Sequence, residues 1–269
     1  MTYENDLDTL VATVLRSGKY QQVSPELVRA IGAGELAKRP SLKIAIKATR
    51  RKLHQVGGAY LDAPPNYAHG LALLRAAAGS PAALRDACRT LMQWHASTRE
   101  RLPILDTFFA TTLAGLPPLR SVLDLACGLN PLAWPWMPLD PTATYVAYDI
   151  YADAVDFIGE FMRLVGVNGR AAVRDVLHDP PTEPVDLALL LKTLPCLEQL
   201  APNASQTLLD ALNARYLLVS YPVASLGGRR KGMAATYTAH FEALVHGRSW
   251  TYQRFEFATE LAFLVKTAA

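Results

Sequence analysis

A short stretch in the middle of the chain has the residue types of a cofactor-binding turn. Residues 122–125 (Val-Leu-Asp-Leu) predict a β-strand, and the small residues 126–128 (Ala-Cys-Gly) follow it directly. Small residues let the backbone come close to a ligand, and Pro131 suits the first turn of a helix whose free N–H groups would face that ligand. The pattern is typical of the first strand of a doubly wound sheet that binds a nucleotide-like molecule.

Carboxylates stand at the places where such a site would use them. Asp149 ends the next apolar run, where an acid accepts hydrogen bonds from ribose hydroxyls, and Asp175 would end a third strand, near an adenine. The structural alternatives are a helix N-cap for Asp149 and a turn residue for Asp175. Ala126 and Cys127 replace glycines of the dinucleotide fingerprint, and Asp124 lies just before the turn. The stretch therefore resembles S-adenosyl-L-methionine (SAM)-dependent methyltransferases more than dehydrogenases.

Further polar residues would complete a site for a cofactor that carries a carboxylate. Residues 95–101 (His-Ala-Ser-Thr-Arg-Glu-Arg) are too rich in polar side chains for a connecting turn, and the Arg101 guanidinium could hold a carboxylate through two parallel hydrogen bonds. Residues 192–195 (Lys-Thr-Leu-Pro) follow a very apolar strand, where methyltransferases place their substrate-side motif. We interpret Cys127 and Cys196, near the same edge, as small buried residues rather than nucleophiles.

Basic residues concentrate in the first part of the chain. Residues 1–115 hold 15 Lys and Arg against 9 Asp and Glu, whereas residues 116–269 hold 12 against 15. No acidic residue lies between Glu35 and Asp62, which predicts a basic helix face that contacts a polyanion; an ordinary solvated face is the alternative. The predicted RNA-binding residues of this face are Arg39, Lys43, Lys47, Arg50 and His54, and those of a second cluster, in a loop after a predicted strand, are Arg229, Arg230 and Lys231.

Composition and length exclude several classes of protein. Hydrophobic residues make up 51% of the 269 positions and charged residues 19%, which is enough for a large core. The acidic start lacks an apolar signal sequence, and no run of about 18 apolar residues predicts a membrane span. Three widely spaced cysteines suit a reducing compartment and form neither a disulfide framework nor a zinc site. We expect a soluble cytoplasmic protein that binds no metal.

The order of predicted elements divides the chain at the Pro-rich residues 116–119. Residues 1–115 predict an all-helical N-terminal domain, with helices at 6–16, 25–37, 41–56, 66–78, 80–95 and 98–113. Residues 116–269 alternate strands with helices, which implies an α/β domain with a mainly parallel sheet. Its helices are predicted at 131–136, 152–165, 203–213 and 233–245, and its seven strands at 121–125, 144–149, 170–174, 185–191, 215–221, 251–257 and 260–266. The last two strands, with almost nothing between them, form an antiparallel hairpin. This is the Rossmann-like fold of SAM-dependent methyltransferases.

Several stretches together resemble one family across nearly the whole chain. They are residues 52–54 (Lys-Leu-His) with 57–60 (Gly-Gly-Ala-Tyr), 95–101, 122–131 (Val-Leu-Asp-Leu-Ala-Cys-Gly-Leu-Asn-Pro), 192–195, and 219–222 (Val-Ser-Tyr-Pro) with 225–229 (Ser-Leu-Gly-Gly-Arg). The family is the aminoglycoside-resistance 16S rRNA (guanine(1405)-N(7))-methyltransferases. The resemblance implies methyl transfer from SAM to N7 of one guanine in the decoding site of the 30S subunit, by a protein that we expect to be a monomer.

The resemblance also implies the residues of the SAM pocket. From the helical side these are Tyr60, His95, Ala96, Ser97 and Arg101, and from the sheet side they are Ala126, Gly128, Asp149, Asp175, Val176 and Leu191. The family places a glutamine shortly after the Lys-Thr-Leu-Pro motif; in this chain Leu200 holds that place, with Gln199 beside it, and Gln199 completes the implied set.

The implied chemistry needs no general base, because guanine N7 carries a free lone pair at neutral pH. Alignment of N7 with the methyl carbon and the sulfur then supplies most of the rate enhancement. We expect Lys192 and Tyr221 to act in positioning, and Trp134, Trp136 and Tyr221 are the candidates to stack on a guanine that leaves the RNA helix.

Two other functions agree with parts of the sequence. A small-molecule methyltransferase would use the helical part as a substrate lid and show little salt dependence. An RNA-binding protein with a degenerate Rossmann core would no longer bind SAM. The presence of Asp124, Gly128, Asp149 and Asp175 argues against this alternative.

Overall fold

Helices form the first part of the chain. The computed structural model describes residues 3–61, 63–223 and 232–268. In chain order, the α-helices of this part are α1 (Tyr3–Leu15), α2 (Pro25–Lys38), α3 (Leu42–Val56), α4 (Tyr67–Ala77), α5 (Pro81–Met92), α6 (Ala96–Arg101) and α7 (Leu105–Thr112). Serine side chains begin three of them: Ser24, Ser41 and Ser80 accept hydrogen bonds from backbone N–H groups in the first turns of α2, α3 and α5. The sequence predicted these three starting points.

Two predicted helices are interrupted by proline. The helix predicted over 98–113 is divided into α6 and α7 by a 3₁₀ turn at Leu102–Ile104, because Pro103 has no N–H group to continue the α-helical hydrogen bonds. The helix predicted at 131–136 is a 3₁₀ turn over Asn130–Trp136 that contains Pro131 and Pro135. A further short 3₁₀ turn lies at Gly58–Tyr60, directly after α3.

The second part of the chain forms a seven-stranded sheet, as predicted. Its strands are β1 (Ser121–Leu125), β2 (Thr144–Asp149), β3 (Gly169–Val173), β4 (Val185–Leu191), β5 (Ala214–Pro222), β6 (Thr251–Glu256) and β7 (Glu260–Lys266), and its helices are α8 (Ala152–Val165), α9 (Leu194–Glu198), α10 (Ala204–Ala211) and α11 (Met233–Val245). The strand order is β3-β2-β1-β4-β5-β7-β6, with β7 antiparallel to both neighbours and the other pairs parallel. The order reverses between β1 and β4, which is where such sheets bind ligands.

The hydrophobic core has one layer on each face of the sheet. Helices α4, α5, α7 and α8 pack on one face around Phe108, Phe157 and Leu189, and helices α9, α10 and α11 pack on the other around Leu190 and Phe263. Helices α1–α3 bury a cluster of their own. The domain boundary at residue 115 stays a prediction; side-chain packing groups α4–α7 with the sheet.

Helices α1–α3 attach to the sheet through the segment between α1 and α2. The Ser24 N–H donates to the Ile150 carbonyl at 2.8 Å, the Ala152 N–H donates to the Gln22 carbonyl at 2.8 Å, and Val23 forms an antiparallel bridge with Tyr151. These contacts hold α2 and the end of α3 beside the carboxyl end of β2. Among the described residues, no helix is long and apolar enough to cross a membrane.

Phe108 connects the helical part to the sheet and should contribute strongly to stability. Its fully buried ring contacts Phe109 and Phe257. We expect Phe108→Ala to lower the free energy of unfolding in urea by about 3–5 kcal/mol, because the substitution leaves a cavity in the core. The control Ile44→Ala, at an exposed position of α3, should change it by less than about 0.5 kcal/mol. Equal effects of the two substitutions would contradict this assignment of the core.

Candidate active site

An open pocket lies at the carboxyl ends of β1, β2 and β4. Its empty volume, with the open solvent at the mouth included, is about 750 Å³. Both parts of the chain line it. The helical part contributes Leu27, Val56, Gly57, Tyr60, His95 and Ser97, and the sheet part contributes Ala126, Asp149, Ile150, Tyr151, Arg174, Asp175, Val176, Leu191, Lys192, Thr193, Cys196, Leu197 and Leu200.

The turn after β1 has the backbone that its small residues permit. Ala126 and Gly128 have φ angles of 51° and 49°, in the left-handed region that larger side chains avoid. A Cβ atom on Gly128 would lie 2.9 Å from Cε1 of the His95 ring. Gly128 therefore lets His95 approach the turn, and it lines a smaller neighbouring cavity.

Asp149 is fixed at the pocket by backbone N–H groups. Its Oδ2 accepts from the Gly128 N–H at 2.8 Å, and its Oδ1 accepts from the N–H groups of Ile150 at 2.7 Å and Tyr151 at 3.2 Å. Burial raises the pKa of this carboxyl, and the three hydrogen bonds oppose the rise by favouring the charged form. The result is an oriented acceptor at the end of β2, where the sequence predicted a ribose-binding acid.

Asp175 forms the next part of the sheet-side wall. Its side chain is buried, and Oδ1 accepts from the Leu177 N–H at 3.1 Å while Oδ2 lies 2.6 Å from Nδ1 of His178. Val176 and Leu191 beside it are buried and apolar. Val176 and Leu191 thus give this wall of the pocket apolar surface, with the Asp175 carboxylate beside it.

Tyr60, His95 and Ser97 form the helical wall of the pocket. The rings of Tyr60 and His95 stack with their centroids 5.6 Å apart and their planes 10° from parallel. Burial, then the positive charges of Lys192 and Arg101, lower the pKa of His95 to about 4, so the ring is neutral at pH 7.

The two cysteines near the site are protonated thiols. The Tyr60 hydroxyl lies 3.0 Å from Sγ of Cys196. Burial raises the pKa of the Cys196 thiol and, more strongly, that of the buried Cys127 thiol. Because the thiolate is the nucleophilic form, these environments favour a packing role over nucleophilic catalysis.

Two cations and two carboxylates meet beneath the pocket, and we call Arg101, Lys192, Glu100 and Glu260 the buried ion cluster. Nε of Arg101 lies 2.9 Å from Oε1 of Glu260, and Nη2 donates to Oε2 at 3.0 Å. Nζ of Lys192 lies 2.7 Å from Oε2 of Glu100 and 3.3 Å from Oε1 of Glu260. Glu260 thus contacts both cations, and it also accepts from the Ser220 hydroxyl at 2.9 Å.

Glu260 remains ionised although it is fully buried. Burial alone would raise its pKa, but the charges of Arg101 and Lys192, with hydrogen bonds from Arg101 and Ser220, hold the pKa below its usual value. Glu260 lies outside the motifs that mark the site in the sequence. The available signal was a carboxylate directly before the apolar residues of β7, at the end of the strand nearest the pocket.

A hydrogen-bond chain connects the buried ion cluster to β1. Nη1 of Arg101 donates to Oδ1 of Asn130 at 2.8 Å, and Nδ2 of Asn130 donates to Oδ2 of Asp124, also at 2.8 Å. The Tyr145 hydroxyl donates to the same Asp124 oxygen at 2.6 Å. Burial raises the pKa of Asp124 to about 6. Asp124 therefore supports the turn from behind and does not line the pocket.

Lys192 is the buried cation that lines the pocket. Its backbone has a φ of 63°, which is unusual for lysine, and its Nζ also donates to the Ser97 carbonyl at 3.0 Å. Arg101 lies behind it and is absent from the pocket surface, because Glu260 and Asn130 occupy its guanidinium. The direct contact between Arg101 and a cofactor carboxylate stays a prediction; of the two cations, Lys192 is the one that lines the pocket.

Other predicted site residues also lie away from the pocket. Ala96 is buried in the first turn of α6. The side chain of Gln199 is exposed and turns back to the Pro195 carbonyl, so Leu200 takes the place expected for a glutamine. Tyr221 is fully buried. Their roles at the site stay predictions; sequence spacing alone does not give the direction of a side chain.

The tryptophans proposed to stack on a base have structural partners. The Trp136 indole N–H donates to Asp106 at 2.8 Å, and the guanidinium carbons of Arg85 and Arg89 lie 5.4 and 5.1 Å from its ring centroid. Trp134 packs edge-on against Tyr145 in the core. Neither lines the pocket, so the structure does not support a stacking role.

The predicted basic face on α3 is largely exposed. Lys43, Lys47 and His54 are exposed, while Arg50 is partly buried and donates to the Thr13 carbonyl at 2.8 Å. Arg39, just before α3, pairs with the buried Glu35 at 3.0 Å. Arg229, Arg230 and Lys231 lie outside the described residues. Within the described ranges, no group of three His, Cys, Asp or Glu side chains could hold a metal ion.

Known proteins resemble this chain in sequence over almost its whole length. Residues 16–264 match the model of a family described as ribosomal RNA methyltransferase (FmrO). A 16S rRNA (guanine(1405)-N(7))-methyltransferase from Micromonospora echinospora is 41% identical over 98% of this chain and 97% of that protein. One from Serratia marcescens is 36% identical over 97% of this chain and 98% of that protein.

Solved structures of 16S rRNA methyltransferases also resemble this chain, in fold and in sequence. The 16S rRNA methyltransferase RmtF in complex with S-adenosyl-L-homocysteine has a TM-score of 0.84 and 34% identity, with all of both chains covered. The 16S rRNA methylase RmtB has a TM-score of 0.79 and 32% identity, with 97% of this chain and 98% of that chain covered.

The buried ion cluster leads to a prediction about stability. Glu260→Gln keeps the shape of the side chain but leaves Arg101 and Lys192 buried with one carboxylate fewer. We expect the free energy of unfolding in urea to fall by about 3 kcal/mol at pH 7. The matched control is Glu256→Gln, which breaks an exposed pair with Arg254 and should cost less than about 1 kcal/mol. A loss at Glu260 no larger than that of the control would contradict the role of the cluster.

The neutral state of His95 leads to a prediction about pH. Between about pH 6.5 and 4 the unfolded chain binds a proton at this residue and the folded chain does not, so the stability contributed by His95 is lost as the pH falls. His95→Gln should therefore lose less stability than the original protein between pH 7 and about pH 4.5. Urea unfolding at several pH values measures this, and parallel curves for the two proteins would contradict it.

Proposed function

The chain belongs to the ribosomal RNA methyltransferase (FmrO) family, as its motifs predicted, and from this premise we propose that it methylates N7 of guanine 1405 in 16S rRNA. The observation that carries the proposal is the pocket where the strand order reverses, lined by the Asp149 carboxylate and the Lys192 ammonium group. SAM is the methyl donor. The enzyme acts on the decoding site of the 30S subunit and thereby confers resistance to aminoglycosides.

The pocket residues fit SAM in shape and charge. Asp149 is oriented to accept hydrogen bonds from ribose hydroxyls, and Val176 and Leu191 offer apolar surface for an adenine, with Asp175 at its edge. Lys192 provides positive charge for the methionine carboxylate, supported from behind by Arg101. His95 contributes a buried Nδ1 that has no hydrogen-bond partner among the described residues, so it retains a polar contact for a ligand.

The chemistry of the pocket agrees with transfer to a nucleophile that needs no deprotonation. When bound, SAM supplies an electrophilic methyl group on a positively charged sulfur. The nearby phenol of Tyr60 and thiol of Cys196 have raised pKa values and stay protonated, so neither acts as a base at pH 7. Guanine N7 offers its lone pair directly. Orientation of the base and exclusion of water then provide the rate enhancement.

The basic face of α3 is the proposed RNA-binding surface. The side chains of Lys43, Lys47 and His54 are exposed to solvent. They lie on the same helix as Val56, the last residue of α3, which lines the pocket. Phosphate contacts on this face would orient the rRNA toward the pocket mouth. Guanine N7 faces the deep groove of an RNA helix, so the base leaves the helix to reach the methyl group. We propose that the protein acts as a monomer in the cytoplasm.

Methyl transfer from labelled SAM tests the proposed function. Intact 30S subunits, naked 16S rRNA and buffer without RNA are compared, and the modified position is mapped by reduction and aniline cleavage, which reports 7-methylguanine. The proposal expects label on 30S subunits and a single cleavage at guanine 1405. Bound SAM with no label on any RNA would instead indicate a small-molecule methyltransferase.

Reversal of charge on α3 should weaken binding to 30S subunits and spare SAM. We expect Lys43→Glu with Lys47→Glu to raise the Kd for 30S by roughly 10-fold or more in about 0.1 M salt, because two phosphate contacts are lost. The plot of log Kd against log salt should also become flatter by about 1.5. The control reverses the same number of charges at the exposed Arg163 and Lys266. Equal weakening by the two double variants would contradict a specific role of this face.

A further inference from the structure

Tyr237, an aromatic residue outside the motifs of the sequence, lies near two residues that line the pocket, Tyr60 and Cys196. Tyr221, Trp134 and Trp136, the three candidates to stack on the target base, are packed in the core or held by other partners. Tyr237 on α11 differs from them. It is only partly buried, and its ring stacks on Tyr221 with the centroids 4.8 Å apart and the planes 24° from parallel.

The Tyr221 ring gives Tyr237 a rigid support. Tyr221 is fully buried at the end of β5 and packs edge-on against Phe263 and His240, with centroid distances of 6.1 and 6.3 Å. A ring packed on three sides has little freedom to move. The orientation of Tyr237 is therefore set by the end of the sheet as well as by its own helix.

Contacts between α9 and α11 bring Tyr237 near Cys196 and Tyr60, which line the pocket. Nε2 of His240 lies 2.8 Å from Oε1 of Glu198, which joins the two helices, and Tyr237 lies on the same face of α11, one turn before His240. Helix α9 also carries Cys196, which lines the pocket and contacts Tyr60. Burial, and then the nearness of Cys196 and Glu198, raise the pKa of Tyr237, which agrees with a position beside the pocket-lining thiol.

We propose that Tyr237 is a substrate-contacting residue that stacks on the guanine after it leaves the RNA helix. This inference rests on the proposed function and adds to it the residue that orients the base. N7 attacks through a lone pair that lies in the plane of the base. The orientation of that plane therefore decides whether the lone pair points at the methyl carbon. A tyrosine ring supported by Tyr221 fixes the plane without a hydrogen bond to any particular base edge.

Kinetics on 30S subunits, with SAM affinity as a second measurement, test the inference. Tyr237→Ala should lower kcat at saturating 30S by about 10-fold or more, because removal of an aromatic platform from a stacked base costs one to two orders of magnitude. The KM for 30S should stay within about 3-fold, since phosphate contacts dominate docking. The Kd for SAM in calorimetry should stay within about 2-fold, and Tyr237→Phe, which keeps the ring, should retain kcat within about 3-fold.

A matched control separates this role from a loss of packing. Tyr252 is a partly exposed tyrosine that contacts Phe241 and Phe263 in the same core layer, but it lies on β6, the edge strand on the side of the sheet away from β1 and β2. Tyr252→Ala should keep kcat near that of the original protein. An unchanged kcat in Tyr237→Ala, or an equal fall in Tyr252→Ala, would overturn the inference while the proposed function stands. An original protein that places no methyl group on 30S would overturn the proposed function and this inference with it.

Discussion

The pairing of Glu260 with two buried cations is the interaction on which the rest of the site depends. Arg101 comes from α6, Lys192 from the end of β4 and Glu260 from the start of β7, and each would be costly to bury alone. Together they join the last strand of the sheet to the central strand and to the helical part. Because charges removed from water require close partners in fixed geometry, the cluster restricts how these three elements can pack.

The same cluster sets the conditions inside the pocket. Its two cations help to keep His95 neutral, and its hydrogen bonds through Asn130 reach Asp124 beneath the turn after β1. Two residues at the pocket, Ala126 and Lys192, have backbone angles that non-glycine residues rarely adopt. Strain of this kind persists only where the surroundings determine the backbone, and it is concentrated at functional sites. The buried ion cluster is part of those surroundings, since Lys192 belongs to it.

Periodicity and turn residues predicted most of the fold, because the elements are set by local physics. All seven strands appear close to their predicted positions, and serine caps begin α2, α3 and α5 where expected. The prediction of one helix over 98–113 was wrong, because Pro103 interrupts the hydrogen bonds between α6 and α7. The direction of a side chain is harder to predict from sequence than the position of a helix or strand. Arg101, which was predicted to hold a cofactor carboxylate, pairs in the structure with Glu260, 159 positions further along the chain. No local pattern shows such a pair before the sheet order is known.

A crystal structure of the protein with bound S-adenosyl-L-homocysteine tests the central claim most directly. The account predicts the ligand in the pocket with its ribose at Asp149, its adenine between Val176 and Leu191 and its carboxylate near Lys192, while Arg101 remains paired with Glu260. A ligand bound elsewhere, or an Arg101 that leaves Glu260 to hold the carboxylate directly, would contradict it.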